Sequence, residues 1–492
     1  MDPLFEIALE PAAKGARGLY DQIRAAILDG RLRPGARLPA TRKSAAFFGV
    51  SRNTAVDAYD RLLSEGFIVA RRGSGTYVTE RPPLAPRVAP DPGGAPDKRL
   101  NPFWLRPDIV ADIGFWRDEA DSSTLPAGEP ALDFRPRLVD SRLFPFELFR
   151  RASAAQLRRL ERKPASYKSP QGNQGSYALR AAIVEHIGVT RAVVCRADDL
   201  IITSGAQQAF DLLARTLVTP GKSVVAIEDP GYPPMRVAFA AAGAKLAPVA
   251  IDAEGLVVDQ IPPGAAVICV CPSHQFPLGV AMSARRRAAL LAFARRTGAV
   301  IIEDDYDGEF RFDGGSLAAL RTADAADQVC YVGTFSKCML PALRLGFIVA
   351  PGWAVRTLTA AKNCLDWHCP TPVQAGVATF IAEGHLMRHV RKMREVYRAR
   401  RALLLDRLGR DFGAWLAPVP SCYGMHVAAA ARAALDFDAV AEGLAGRGVK
   451  LHSFSRYYLG APAAEGVIFG YGVVDLGEIE RGLALLRRAL AG

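Results

Sequence analysis

Lys337 closes the stretch Gly333-Thr334-Phe335-Ser336-Lys337, directly after the β-branched run 329–332, and Arg344 follows seven residues on. A lysine amine attacks an aldehyde when a nearby cation lowers its pKa. Hydroxyls and a guanidinium beside it suit a phosphate, because the guanidinium fork matches phosphate geometry. This combination suits an imine with pyridoxal 5'-phosphate (PLP). That cofactor asks for more than a lysine: a carboxylate at its pyridine nitrogen, donors for its phosphate, an aromatic ring against its own, and a donor to its phenolic oxygen.

Each requirement has a candidate. Thr203-Ser204-Gly205-Ala206-Gln207-Gln208 follows an apolar run and opens a helical pattern, where backbone N–H groups face an anion. Ile301-Ile302-Glu303-Asp304-Asp305-Tyr306 puts acids at the end of a strand, the edge at which open α/β sheets bind ligands. Glu228-Asp229-Pro230-Gly231-Tyr232 places an aromatic after another strand. Taken singly, each group also fits an ordinary role: Tyr232 as a packed surface tyrosine, Asp304 as a helix cap, Lys337 as one exposed lysine among many. Their joint position after successive strands favours the cofactor.

The elements that must position these residues are legible in the same stretch. Runs at 200–202, 224–227, 267–270, 300–302, 329–332 and 345–349 are short, β-branched and bounded by Gly, Pro or charge. Helical patterns such as 284–297 lie between them. The expected fold class is therefore α/β, with a mixed, mostly parallel sheet covered on both faces. Cys269 and Cys271 are expected on or beside one buried strand. No CxxC or Cys/His cluster is present, so no metal site is expected.

The beginning of the chain has another texture. Residues 19–28 carry a helical apolar stripe, 39–48 form a second short helix, Gly49-Val50 makes a turn, and Ser51 caps a third helix to about Glu65. Helix, glycine turn and capped helix make a helix-turn-helix, and Ser51, Arg52, Asn53 and Thr54 open the helix that would reach base edges or phosphates. Phe67 to Val78 reads as a hairpin tipped by Arg71-Arg72-Gly73-Ser74-Gly75, a wing with arginines for phosphate or a minor groove. Residues 14–78 hold seven more Lys and Arg than Asp and Glu, the footprint of a DNA binder.

Between the two textures lies a stretch dense in Pro, Gly and charge, which reads as a spacer. The expected domains are 1–80 (DNA-binding), 81–130 (linker) and 131–492 (PLP-binding). A chain of 492 residues, half of them hydrophobic and with a net charge of +12, has room for two domains and fits a polyanionic partner. No apolar run reaches eighteen residues and the N-terminus is acidic, so neither a membrane span nor a signal peptide is expected, and the location expected is cytoplasmic. The basic run 388–401 reads as a solvated helix face or as a second surface for DNA.

Two resemblances follow from these motifs. LPATRKSAAFFGVSRNTAVDAYDRLLSEGFIVARRGSGTYV resembles the winged helix-turn-helix of the GntR regulators. SGAQQAFDLLAR, EDPGYP, CPSHQFPLGVAMS, EDDYDGEFRF and GTFSKCMLPALRLGF resemble fold-type-I aminotransferases, and the whole chain is similar to the MocR/GabR subfamily of GntR regulators. The resemblance implies that Arg42, Arg52, Thr54 and the region of Gly75 contact double-stranded operator DNA, beside Lys43, Ser51, Asn53, Arg71 and Arg72 from the reading above. It implies Lys337 as the imine lysine, Asp304 at the pyridine nitrogen, Tyr306 at the phenolic oxygen and Tyr232 on the ring. Ala206, Gln207, Thr334 and Arg344 then serve the phosphate, and His274 lines the ring's edge. It further implies a head-to-tail homodimer and a transcriptional regulator that senses a small amine or amino acid, or PLP itself, through an aldimine at Lys337. The alternative is a working aminotransferase that also binds DNA. Two positions depart from the family pattern: Leu278 stands in place of a small hydroxyl residue, and Pro234 in place of an arginine for an effector's carboxylate. Arg456, in SFSRYY, is a candidate for a carboxylate-binding arginine near the C-terminus.

Overall fold

The computed structural model describes residues 15–71, 73–80, 99–115, 132–136, 138–162, 172–312 and 318–491. Arg72, one of the expected DNA contacts, lies outside them. The chain divides into two compact units, Met1–Leu100 and Asn101–Gly492.

The first unit contains α1 (Ala16–Leu28), β1 (Arg37–Leu38), α2 (Thr41–Phe48), α3 (Arg52–Ser64), β2 (Ile68–Arg71) and β3 (Gly75–Val78), with strand order β1-β3-β2. Leu19, Ile23, Ala26 and Ile27 of α1 and Ala55, Ala58, Tyr59 and Leu62 of α3 are buried in one core. Gly49, at φ 64°, ends α2 in the left-handed conformation that a tight turn needs. Tyr59 ties the two helices of the motif: its hydroxyl donates to Pro39 O at 3.0 Å and lies 2.8 Å from Ser44 Oγ.

The second unit opens with α4 (Pro107–Gly114), β4 (Leu132–Asp133), α5 (Phe146–Arg162) and α6 (Tyr177–Arg191). The expected linker spanned 81–130; α4, which packs on the second unit through an ion pair described below, falls within that range. Then come β5 (Leu200–Thr203), α7 (Ala206–Leu217), β6 (Val224–Asp229), α8 (Pro233–Ala241), β7 (Lys245–Asp252), β8 (Gly255–Leu256), β9 (Ala265–Val270), α9 (Ala284–Thr297), β10 (Val300–Asp305), β11 (Val329–Thr334), β12 (Gly346–Val349) and α10 (Gly352–Leu365). These eight strands form one sheet in the order β5-β12-β11-β10-β9-β6-β7-β8. Pairing is parallel from β11 through β10, β9 and β6 to β7, whereas β12 runs antiparallel to both its neighbours and β8 to β7. Ile301 packs on one face with Leu290 and Phe293 of α9, and Ile302 on the other with residues of α7 and α8. Both faces are covered, which is why these strands read as continuous apolar runs.

The chain continues with α11 (Thr371–Ala382), α12 (His385–Asp411), β13 (Leu416–Pro418), β14 (His426–Ala431), α13 (Phe437–Ala445), β15 (Val449–Lys450), β16 (His452–Ser453), β17 (Gly466–Gly470) and α14 (Leu476–Leu490). A four-stranded sheet of order β13-β14-β17-β16 and a short parallel pair β15-β4 complete the unit. The basic run lies on α12 and divides: Arg400 is buried and pairs with Asp140 at 2.6 Å, while Arg391, Lys392 and Arg398 are exposed.

Candidate functional site

A cavity of about 570 Å³ opens at the C-terminal edge of the large sheet. Ala206, Gln207, Tyr232, Asp304, Tyr306, Thr334, Lys337 and Arg344 all line it, so eight of the nine residues expected to serve the cofactor share one space. They come from the ends of β5, β6, β10 and β11 and from the turn before β12, which are neighbours in the sheet although distant in sequence.

The phosphate end is built by a backbone that tolerates no side chain. Gly205 caps α7 at φ 79° and ψ 176°, a conformation essentially reserved for glycine. A Cβ there would lie 2.9 Å from Arg344 Nη2, and a Cβ on Gly346 would lie 2.9 Å from Gly205 C. Arg344 Nη2 donates to Ser204 O at 3.0 Å, which aims the guanidinium at the start of α7. Thr334 Oγ1 accepts from Ser336 N at 3.2 Å. The result is a cationic group, two hydroxyls and the free N–H groups of a helix start around one spot. Gln207 supplies its amide to Pro234 O at 2.9 Å, leaving its Oε1 buried without a partner.

The ring end is built around Asp304. Its Oδ1 is buried without a hydrogen-bond partner, while Cys271 Sγ donates to its Oδ2 at 3.7 Å. Burial, with the neighbouring Asp305 adding to it, pushes the Asp304 carboxyl up to about 8. A buried acceptor with nothing to accept calls for a donor from the cavity, and a protonated ring nitrogen is such a donor. Glu228, fully buried nearby, is likewise pushed up to about 8 by burial. Tyr232 caps α8 and meets Phe276 edge-on at 5.7 Å between ring centroids, leaving it placed to stack on a planar ligand. Lys337 Nζ lies 3.4 Å from Pro136 O and shares the cavity with Asp304. The residues present thus fit PLP at both of its ends.

His274 departs from its expected place. It does not line the cavity; it stands behind Tyr306, whose Oη lies 2.8 Å from His274 Nδ1. The same Nδ1 faces Asp307 Oδ2 at 3.0 Å and Oδ1 at 3.2 Å. The reason is the turn after β9, which folds the His274 ring against His426 of β14 at 4.6 Å rather than towards the sheet edge. Among the described residues His274, Asp307 and His426 are one group whose donor atoms, within 4.8 Å of one another, could hold a metal ion. His274 Nδ1 is already engaged there, and His426 Nε2 lies 2.8 Å from Pro277 O. Arg456, the candidate for an effector's carboxylate, does not line this cavity: it is exposed, and it lines a separate cleft of about 330 Å³ with Asp438 and Glu442.

Sequence reasoning missed one wall of the cavity. Ile113 of α4 lines it together with Pro136, Leu138, Pro234, Val237 and Phe276. α4 is held by Asp112, which accepts from the buried Arg236 Nη2 of α8 at 3.0 Å. Phe115, just past α4, packs edge-on against Tyr457 at 5.2 Å. A short helix in a Pro- and charge-rich stretch gives no periodic signal; the apolar pair Ile109 and Ile113, four apart, was the available hint.

In the first unit Arg42, Lys43, Ser51, Arg52 and Asn53 are exposed on α2 and at the start of α3, and Thr54 is half-buried. Ser51 Oγ accepts from Thr54 N at 3.1 Å, the cap expected from the sequence. Arg71 and Gly75 are exposed at the tip of the β2-β3 hairpin, where the Arg71 guanidinium lies 4.9 Å from the centre of the Tyr77 ring.

Comparison with known proteins agrees with this division. Residues 16–78 match the family of bacterial regulatory proteins of the gntR family, and residues 144–454 match aminotransferase class I and II. The chain is 34% identical over 474 residues to the probable rhizopine catabolism regulatory protein MocR of Rhizobium meliloti, covering 96% of this chain and 93% of that one. It is 32% identical over 457 residues to the pyridoxine biosynthesis transcriptional regulator PdxR of Corynebacterium glutamicum, covering 93% and 92%. The solved α-aminoadipate aminotransferase LysN of Thermus thermophilus, complexed with N-(5'-phosphopyridoxyl)-L-leucine, superposes with a TM-score of 0.66 at 28% identity. That match covers 74% of this chain and 92% of LysN.

Proposed function

From a chain that belongs to the MocR-type GntR transcriptional regulators, with a DNA-binding helix-turn-helix and an aminotransferase-like domain, we propose a regulator that holds PLP covalently at Lys337 and reads a small ligand there. The observation that carries this reading is the cavity in which the unpartnered Asp304 Oδ1, Lys337 and the Gly205–Arg344 cradle meet. Bound there, PLP supplies an aldehyde that condenses with primary amines and a ring that withdraws electrons once its nitrogen is protonated. The protein's part is to fix that ring. Asp304 would keep the nitrogen charged, Tyr232 would cover one face, Tyr306 would serve the phenolic oxygen, and Arg344 with the start of α7 would hold the phosphate.

The signal is an amine or amino acid that displaces Lys337, or PLP itself; PdxR, named for pyridoxine biosynthesis, lends weight to the second. For either to act on transcription, the ligand must bind two arrangements of the protein with different affinity. Location in the cytoplasm and a head-to-tail homodimer belong to this reading. The rival, an aminotransferase that also binds DNA, draws on the same complete set of cofactor-side residues. The two separate in one experiment. Operator affinity of the full chain is measured with and without PLP and a panel of amines and amino acids, beside turnover with each amino acid and a keto acid. A ligand-dependent affinity with turnover well below about 10 per second supports the regulator. Turnover at that rate or above, with affinity indifferent to every ligand, overturns it.

A further inference from the structure

Tyr306 lines the cavity, and its hydroxyl lies 2.8 Å from His274 Nδ1. The Tyr306 hydroxyl can make a directed bond to a ligand only if its single hydrogen is not already given to His274. Which of the two atoms donates depends on where His274 carries its hydrogen, and the surroundings of the ring decide that.

His274 and Asp307 are both 2% exposed. Nδ1 of His274 faces both oxygens of Asp307, at 3.0 and 3.2 Å. A bare Nδ1 would turn its lone pair on a carboxylate, whereas an N–H there donates to it. The other nitrogen, Nε2, is buried and has no hydrogen-bond partner. Hydrogen on Nε2 would orphan a donor in the interior, at a cost of about 1–3 kcal/mol. Nε2 lacks a partner whether or not it carries hydrogen, so the Asp307 side decides, and it favours hydrogen on Nδ1. Nδ1 then shares its one hydrogen between Asp307 and Tyr306 Oη, 2.8 Å away, and offers that hydroxyl no lone pair to donate to. The Tyr306 hydrogen is left to point away from His274, free for an acceptor such as a ligand in the cavity that Tyr306 lines.

We propose that Asp307 and His274 are positioning residues that lock the Tyr306 hydroxyl as a hydrogen-bond donor towards the ligand in the cavity. The proposal rests on the reading that this ligand is PLP, whose phenolic oxygen is the acceptor. The other charged or titratable groups around Tyr306 are Asp304, Glu228 and Cys271, and around His274 they are Asp307 and His426, which also faces Lys337. Asp307 and Tyr306 are thus the groups given a hydrogen-bonding contact with His274 Nδ1.

Two measurements test it. The first needs no cofactor: ¹⁵N spectra of the full chain with labelled histidine, with His274→Gln used only to assign the signal. Hydrogen on Nδ1 of His274 is expected; hydrogen on Nε2 overturns the proposal. The second uses the PLP-loaded protein and follows its visible absorption band against pH. A donor to the phenolic oxygen stabilises negative charge there and lowers the proton affinity of the linkage beside it. Asp307→Asn and Tyr306→Phe are each expected to raise the midpoint by about 1 pH unit. The double variant is expected to shift no further than either alone, because both act through one hydrogen bond. Additive shifts, or a midpoint unmoved in Asp307→Asn, overturn the proposal, as does a stoichiometric metal ion found on the purified protein. Should the wild type show no visible band with PLP, the cofactor reading fails, and the histidine spectra still decide the state of His274.

Discussion

Asp304 and Asp305 are adjacent on β10, yet their carboxylates serve opposite sides of the sheet. Asp304 lines the cavity and its buried Oδ1 has no hydrogen-bond partner, whereas Asp305 Oδ2 accepts from Arg191 Nε at 2.5 Å and from Tyr331 Oη at 2.6 Å. Alternation along a strand makes this division unavoidable. The two asparagine variants should therefore fail differently. Asp304→Asn is expected to weaken PLP binding about 10- to 100-fold, the worth of a hydrogen bond to a charged group, with little loss of stability in urea. Asp305→Asn leaves Arg191 buried without its counter-charge and is expected to cost about 3–5 kcal/mol of stability while the absorption spectrum stays in place. Exchange of the two phenotypes would place the ring nitrogen at Asp305.

Covalent attachment is the second test. After borohydride reduction of the PLP-loaded protein, peptide mass spectrometry should find the adduct on Lys337, and Lys337→Ala should lose both adduct and visible band. An adduct on another lysine in the wild type would remove Lys337 from its role.

The cofactor-free protein should grow less stable as pH rises. Asp304 and Glu228 have carboxyls that burial raises to about 8 from ordinary values of 3.8 and 4.5. A group whose folded pKa is raised contributes its full stability below the unfolded value and loses it as pH climbs through the folded one. The window is thus about pH 4 to 8, and the loss is on the order of a few kcal/mol, shared between two coupled groups. Thermal melts of cofactor-free protein across that window should fall, and Asp304→Asn should flatten the slope. PLP, which brings a cation to Asp304, should also flatten it. A wild-type stability constant from pH 5 to 8 would contradict this.

In the DNA-binding unit two neighbouring residues should separate structure from recognition. Ser51→Ala removes the cap of α3 and is expected to cost about 1 kcal/mol of stability in that unit. Arg52→Ala removes an exposed guanidinium at the start of the same helix and is expected to cost about 1–3 kcal/mol of operator affinity if it pairs with a base edge, with stability unchanged. Melting curves and operator titrations at two salt concentrations distinguish them, and equal affinity for wild type and Arg52→Ala would end that assignment.

Legibility in the sequence followed the range of the forces involved. The cap at Ser51, the turn at Gly49 and the six apolar strand runs are short-range features, and they stood where composition and spacing put them. Strands β7 and β8 and the sheet β13-β14-β17-β16 passed unremarked. β7 carries a half-exposed pattern with Pro248 inside it, and β14 is mostly alanine, so neither shows strand-like branching. At the site, residues that follow buried strands were readable because strand ends share an edge. His274 was misplaced because it sits on a turn, where sequence does not fix direction. Leu138 gave no signal and Ile113 only the faint one of its spacing from Ile109, because their place depends on packing between remote segments.

The cradle joins Gly205 to Arg344, and the ring end joins Tyr232 to Lys337 by way of Asp304. No single strand or helix holds more than part of this set, so a ligand that needs all of it can bind only after distant segments have found their register. On the proposed reading PLP would act on the folded population as mass action requires: it would stabilise the assembled domain by an amount that grows with the logarithm of its free concentration. A cell short of the cofactor would hold less intact regulator, and the amount of protein that survives proteolysis would itself become a record of nutritional state, upstream of any contact with DNA.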